Sequence, residues 1–153
     1  MAASAGVDVT VAAREARRKR LFRFDPKLKL MSVVDERDGR LVISVKGAPE
    51  EVMARVTRML VDGAEPPVTD GYRAHVAGVM DGFGRQGLRV LAFARRALPP
   101  GAGLPAAREE AERDLCLIGL VAMQDPPRPE VPEAIGQVHR AGSASTWSPA
   151  TTG

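Results

Sequence analysis

The sequence predicts an α/β fold of the α+β type: an antiparallel sheet flanked by helices. Three observations carry that prediction. Asp38-Gly39 separates two apolar runs, residues 31–35 and 41–46, and this dipeptide is a strong signal for a two-residue hairpin. Tyr72, Val76, Val79, Met80 and Phe83 recur at the spacing of one face of a helix, an amphipathic stripe that calls for a core to cover it. Residues 88–95 alternate as a strand, with Arg89, Leu91 and Phe93 on one side and Leu88, Val90 and Ala92 on the other.

Taken in order, residues 1–13 are small and apolar without a clear period, and Arg14-Glu15-Ala16-Arg17-Arg18-Lys19-Arg20 follows. This basic run reads as the solvated end of a helix. As a nucleic-acid patch it lacks the interleaved aromatics that a single-strand binder stacks on, so no nucleic-acid partner is expected. Residues 21–24 form a short strand that turns at Asp25-Pro26. Residues 49–59 form a helix: Pro49 suits its first turn, Glu50 and Glu51 complement its dipole, and Val52, Val56 and Met59 share a face. Residues 62–68 are a loop. Thr69 or Asp70 caps the next helix, His75 lies off its stripe and on the surface, and Gly84 and Gly87 end it. Residues 99–105 are a loop, and 106–113 a short, highly charged helical stretch. The continuous apolar run 115–123 suits a strand buried on both faces, as in a parallel sheet, with Cys116 as packing. Asp125-Pro126-Pro127-Arg128 is a stiff connector, 129–140 a helix that Gly142 ends, and 143–153 a disordered tail.

A length of 153 residues allows one domain, or one and a fragment of another. Aromatics are only 4% of the chain, so the core must be built from Val, Leu, Ala and Met. The formal charge of +3 is compatible with an acidic ligand without demanding nucleic acid. One cysteine excludes an internal disulfide, and two histidines cannot build a zinc site alone. No run approaches the ~18 apolar residues of a membrane span, and the N-terminus lacks the apolar segment of a secretory signal. The expectation is a soluble, cytoplasmic polypeptide. No Ser/His/Asp or Cys/His arrangement offers a catalytic mechanism.

The remaining feature is Lys46-Gly47-Ala48-Pro49-Glu50. A lysine closes a strand beside a backbone whose glycine lets it approach a ligand closely, and a helix starts just beyond. By itself this is either a phosphate or nucleotide site or a surface lysine before a turn.

The words around it narrow the choice. Phe24-Asp25-Pro26-Lys27-Leu28-Lys29-Leu30-Met31-Ser32-Val33 lies upstream; Gly87-Leu88-Arg89-Val90-Leu91-Ala92 and Asp125-Pro126-Pro127-Arg128 lie downstream. In this order and spacing, over about residues 20–142, they closely resemble the nucleotide-binding domain of P-type cation-transporting ATPases. The calcium- and sodium-pump-like branch is the nearest match.

The resemblance implies ATP, delivered as Mg-ATP, as the ligand. It implies that adenine stacks on Phe24, that Lys29 and Lys46 line the cleft with Lys46 deep beside the base, that Arg89 contacts the phosphates, and that Leu91 is a nearby wall. Glu50, Met31 and Gly47 shape the cleft. Pro26 stands where the family often has a basic residue, and an upstream acidic segment has only Gly6-Val7-Asp8-Val9-Thr10 in its place. The implied organisation is a basic segment 1–20, a nucleotide-binding domain 21–114, a hinge with the incomplete start of a phosphorylation domain 115–142, and the tail 143–153. The tail departs from a family strand ending in Thr-Gly-Asp, as a shifted reading frame or truncated end would leave it. The implied partners are the phosphorylation and membrane domains of a parent pump, which sits in a membrane with this domain in the cytoplasm. Asp-Lys-Thr-Gly-Thr, the family's phosphorylation motif, is absent from the sequence, so the expectation is ATP binding without turnover. The alternative is a non-enzymatic remnant or interaction module that keeps the fold without useful ATP affinity.

Overall fold

The computed structural model describes residues 10–124. The expected hinge at 125–128, the helix at 129–140 and the tail at 143–153 lie outside the described residues. Among the described residues six strands form one mixed sheet. They are β1 (Arg18–Asp25), β2 (Leu30–Arg37), β3 (Arg40–Gly47), β4 (Val56–Met59), β5 (Arg89–Ala97) and β6 (Leu115–Met123), in the spatial order β1-β2-β3-β5-β6-β4. Among the described residues four helices accompany them: α1 (Val11–Arg17), α2 (Pro49–Met53), α3 (Asp70–Arg85) and α4 (Arg108–Ala111). Among the described residues no helix is long and apolar enough to cross a membrane.

The hairpin stands where the sequence puts it. Arg37 faces Arg40 across a two-residue turn, with Asp38 at φ 50° and Gly39 at φ 71°. Two successive positive φ values match the right-handed twist of the strands on either side. The pairings β1–β2, β2–β3 and β3–β5 are antiparallel, as expected, and β5–β6 is antiparallel as well. The strand expected at 21–24 is longer, because the basic run supplies its first residues: Lys19 pairs with Glu36 at 2.6 Å, and Arg20 donates to the Pro105 carbonyl.

Alternation gives the sheet two unlike faces. Leu30, Val34, Ile43, Val45, Ala92 and Ala94 are buried on one, with Val52 and Met53 of α2 and Val76 of α3 in the same cluster. Thr69 caps α3, its hydroxyl accepting from the Tyr72 amide at 3.2 Å. Gly87, at φ 67°, turns the chain from α3 into β5, a left-handed conformation that glycine adopts at little cost. His75 is exposed.

Two expectations are corrected. The helix over 49–59 stops at Met53, and residues 56–59 are a strand parallel to β6. Val52, Val56 and Met59 fit a helical stripe, but Val56 and Thr57 are β-branched and suit a pleated surface. The backbone of β6 then offers partners: Leu115 N–H donates to the Arg55 carbonyl at 2.9 Å, and Leu60 N–H to the Leu117 carbonyl at 2.8 Å. Arg73 of α3 seals the junction by donating to the carbonyls of Met53 and Val56, at 2.8 and 2.7 Å. The second correction concerns β6. It is antiparallel to β5 and parallel only to the short β4, and burial on both faces ends at Leu117; Ile118 is 48% exposed.

Candidate functional site

The uncovered face of the sheet is built by the residues one step out of phase with the core. In the ladder Met31 lies opposite Lys46, and Lys46 opposite Phe93. Opposed residues in an antiparallel pair point the same way, so three strands deliver these side chains to one place. They line a cavity of about 170 Å³ together with Ser32, Val33, Ser44 and Val45. Clefts that hold a drug-sized ligand run to roughly 300–1,000 Å³. This cavity therefore has room for one ring system, with anything attached to it lying over the open sheet.

Two and four residues along β5 from Phe93, Leu91 and Arg89 share the same face, Leu91 half-buried opposite Val121 and Arg89 exposed opposite Met123. Lys46 is exposed rather than deep. At the other side of the sheet, the ladder between β1 and β2 is in register at Phe22/Ser32 and again at Asp25/Leu30. Arg23 and Phe24 are thus two residues opposite the single Met31, which is a β-bulge. Phe22 remains on the core side, while Phe24, next to inward-facing Asp25, falls on the open face and is 56% exposed.

Lys29 sits apart from this row, in the turn that enters β2, exposed and at φ 50°. That backbone state is uncommon outside glycine, and local bonds hold it. The Asp25 carboxylate accepts from the amides of Lys27 at 2.8 Å and Leu28 at 3.2 Å, and the Lys29 carbonyl accepts from Ala48 N–H at 3.0 Å. Those two amides pull the Asp25 carboxyl below its ordinary value. Gly47 falls on the covered face and is buried. A Cβ there would collide with the Lys29 carbonyl oxygen and the Leu30 side chain. Glycine is required because the turn and the end of β3 lie against each other. Of the sequence-predicted residues, the fold therefore gathers Phe24, Lys46, Leu91 and Arg89 on one face, holds Lys29 at its margin, and uses Gly47 behind it.

Phe93 was not singled out from the sequence, although its alternation with Arg89 and Leu91 was the signal for it. The donor set fits a nucleotide: a ring-sized apolar cavity, an exposed aromatic, and cations spread along the same surface. Among the described residues no three His, Cys, Asp or Glu side chains form a group able to hold a metal ion. Cys116, buried beside the Arg58–Glu65–Arg95 ion pairs, has its thiol pushed up by burial and then by the Glu65 charge. That environment suppresses the thiolate a nucleophile needs.

Comparison with known proteins agrees with this architecture. The family model for the P-type ATPase cytoplasmic domain N matches residues 1–130. A calcium-transporting ATPase of Bacillus subtilis is 38% identical over 122 residues, which is 79% of this chain and 14% of that protein. The sodium/potassium-transporting ATPase subunit alpha-2 of Gallus gallus is 36% identical over 66% of this chain and 10% of its own length. An endoplasmic reticulum-type calcium-transporting ATPase of Arabidopsis thaliana is 37% identical over 80% of this chain and 12% of its own. The chain spans about a seventh or less of the length of these relatives. On the family match and these identities, the chain belongs to the P-type ATPase cytoplasmic domain N family.

Proposed function

We propose that this chain binds ATP on the open face of its sheet and presents it to the phosphorylation domain of a cation-transporting P-type pump. The observation that carries the reading is the Met31–Lys46–Phe93 row across β2, β3 and β5, with its ring-sized cavity. The adenine enters that cavity beside Lys46, and Phe24 stacks on it. The ATP supplies a phosphoryl group for transfer elsewhere; the residues here only hold and orient it. Arg89, at the far end of the same face, takes the phosphates, and Lys29 adds charge at the turn. The ion that the pump carries is set outside this chain.

Stacking on Phe24 contributes about 0.5–1.5 kcal/mol beyond area burial. Each charge-assisted contact contributes about 1.5–3 kcal/mol where water is excluded. Lys46 and Arg89 are exposed, so they act toward the low end. After the entropy of association the sum points to roughly millimolar to high-micromolar affinity.

An NMR titration with Mg-ATP tests the reading. Amide shifts are expected to gather at Phe24, Lys46, Leu91 and Phe93. Lys46→Ala and Phe24→Ala are each expected to weaken binding by about tenfold, and Arg17→Ala to leave it unchanged. Shifts centred on Arg14 and Arg17, with normal binding by Lys46→Ala, would replace the cleft with a nonspecific polyanion surface.

A further inference from the structure

The short charged helix α4 has no part in the reading above, yet it carries the most deeply buried carboxylate among the described residues. Glu112, at its C-terminal end, is 4% exposed. Its Oε1 accepts from the hydroxyl of Ser32, itself 1% exposed, at 2.7 Å, and from Arg108 Nη1 at 2.8 Å. A buried carboxylate is costly to keep unless paired and hydrogen-bonded; here Arg108, four residues away, supplies the pair, and Ser32, 80 residues away, the hydrogen bond. The guanidinium does more than neutralise Glu112. Nη1 also donates to the Leu30 carbonyl at 3.4 Å, Nη2 donates to the Arg23 carbonyl at 2.5 Å, and the group lies 5.8 Å from the centre of the Phe22 ring.

These are the two ends of the β1 bulge and its turn. A bulge takes backbone groups out of the ladder and re-aims a side chain. The Arg23 carbonyl belongs to that bulge, and the residue the bulge turns outward is Phe24. Arg108 therefore grips the backbone on one side of Phe24 and at the start of β2 on the other, from the covered face of the sheet. A planar fork of donors can bridge two carbonyls and a carboxylate at once.

We infer that Arg108 and Glu112 are positioning residues for the nucleotide face. They hold the β1 bulge so that Phe24 and Lys29 present themselves as an ordered edge of the site. The inference rests on the ATP reading above, and it assigns neither residue a contact with the nucleotide.

The test compares the 153-residue chain with its Arg108→Lys, Glu112→Gln and Phe24→Ala variants, by Mg-ATP titration and by amide hydrogen exchange. Arg108→Lys leaves a cation beside Glu112 but removes the fork. It is expected to weaken ATP binding by about fivefold, as is Glu112→Gln. Exchange is expected to quicken at Lys27, Leu28 and Ala48, which report the turn, and to stay unchanged at Ile43, Val45 and Ala94. Should Glu112→Gln fail to fold, Arg108→Lys carries the test. If Phe24→Ala weakens binding while Arg108→Lys binds as the parent does, the positioning role is wrong and the ATP site stands. If exchange in Arg108→Lys quickens equally at Ile43 and Val45, the cluster serves general stability and the positioning role is again wrong. If Phe24→Ala binds ATP normally, the site reading falls first and the inference with it.

Discussion

The same three strands show two opposite surfaces. On one face of β2, β3 and β5, Leu30, Val34, Ile43, Val45, Ala92 and Ala94 are between 0% and 2% exposed. One residue along, Met31, Val33, Ser44, Lys46, Leu91 and Phe93 are half-buried or exposed, and none is buried. Side chains in a strand alternate with a period of two, so a slip of one residue would exchange the two sets completely. The covered set cannot accept that exchange, because it would put apolar side chains into water and Lys46 into the core. Core packing therefore sets the register of the open face as well. The candidate-site side chains on the open face are thus aligned by residues of the covered face.

The sharpest way to break this comparison is a pair of substitutions three residues apart on β3. Ile43→Ala on the covered face is expected to cost about 2–5 kcal/mol in urea unfolding. Lys46→Ala on the open face is expected to change stability by less than about 0.5 kcal/mol, while it weakens ATP binding. Equal losses of stability would show that the two faces are not distinct in this way. Next in size is Gly47→Ala. The added Cβ meets the Lys29 carbonyl oxygen, and relieving that collision is expected to cost about 1–3 kcal/mol. A thermal midpoint equal to the parent's would mean that the turn does not press on β3.

A smaller effect belongs to Cys116. Its folded-state value lies above its unfolded one, raised by burial and by Glu65. The stabilisation is therefore fully present below the unfolded thiol's value of about 8.5 and is lost as pH rises through the folded value. The urea midpoint of the parent is expected to fall more between pH 8 and about 11 than that of Cys116→Ala; parallel curves would contradict this. The smallest effect is at Asp25, whose folded value is depressed by the amides of Leu28 and Lys27. Its contribution is present above the unfolded value of about 3.9 and is lost as pH falls through the folded value. Acid titration of the Lys27 and Leu28 amide signals is expected to show a midpoint below about 3.9. A midpoint at or above that value would mean the turn is not held by the carboxylate.

The local chemistry of the sequence was enough wherever a decision depended on neighbours in the chain. Asp38-Gly39 carries its own left-handed turn, Thr69 its own cap, and the alternation of 88–95 its own pair of faces. The alternation also put Arg89 and Leu91 on one strand face, while the sheet register and the β1 bulge were needed to bring Phe24 and Lys46 to that face. What local chemistry could not decide was any choice between two locally acceptable states. Residues 56–59 fit a helix or a strand, and the free backbone of β6 decided for the strand. The apolar run 115–123 reads as buried throughout, but burial on both faces ends at Leu117, and Ile118 and Val121 are exposed. Phe93 became part of the site only because β3 pairs with β5 and sets it beside Lys46. Glu112 and Ser32 became partners only because the sheet and α4 bring them within 2.7 Å. In each case the deciding energy is a hydrogen bond or a contact between distant segments, and such terms have no signature in the residues on either side of them.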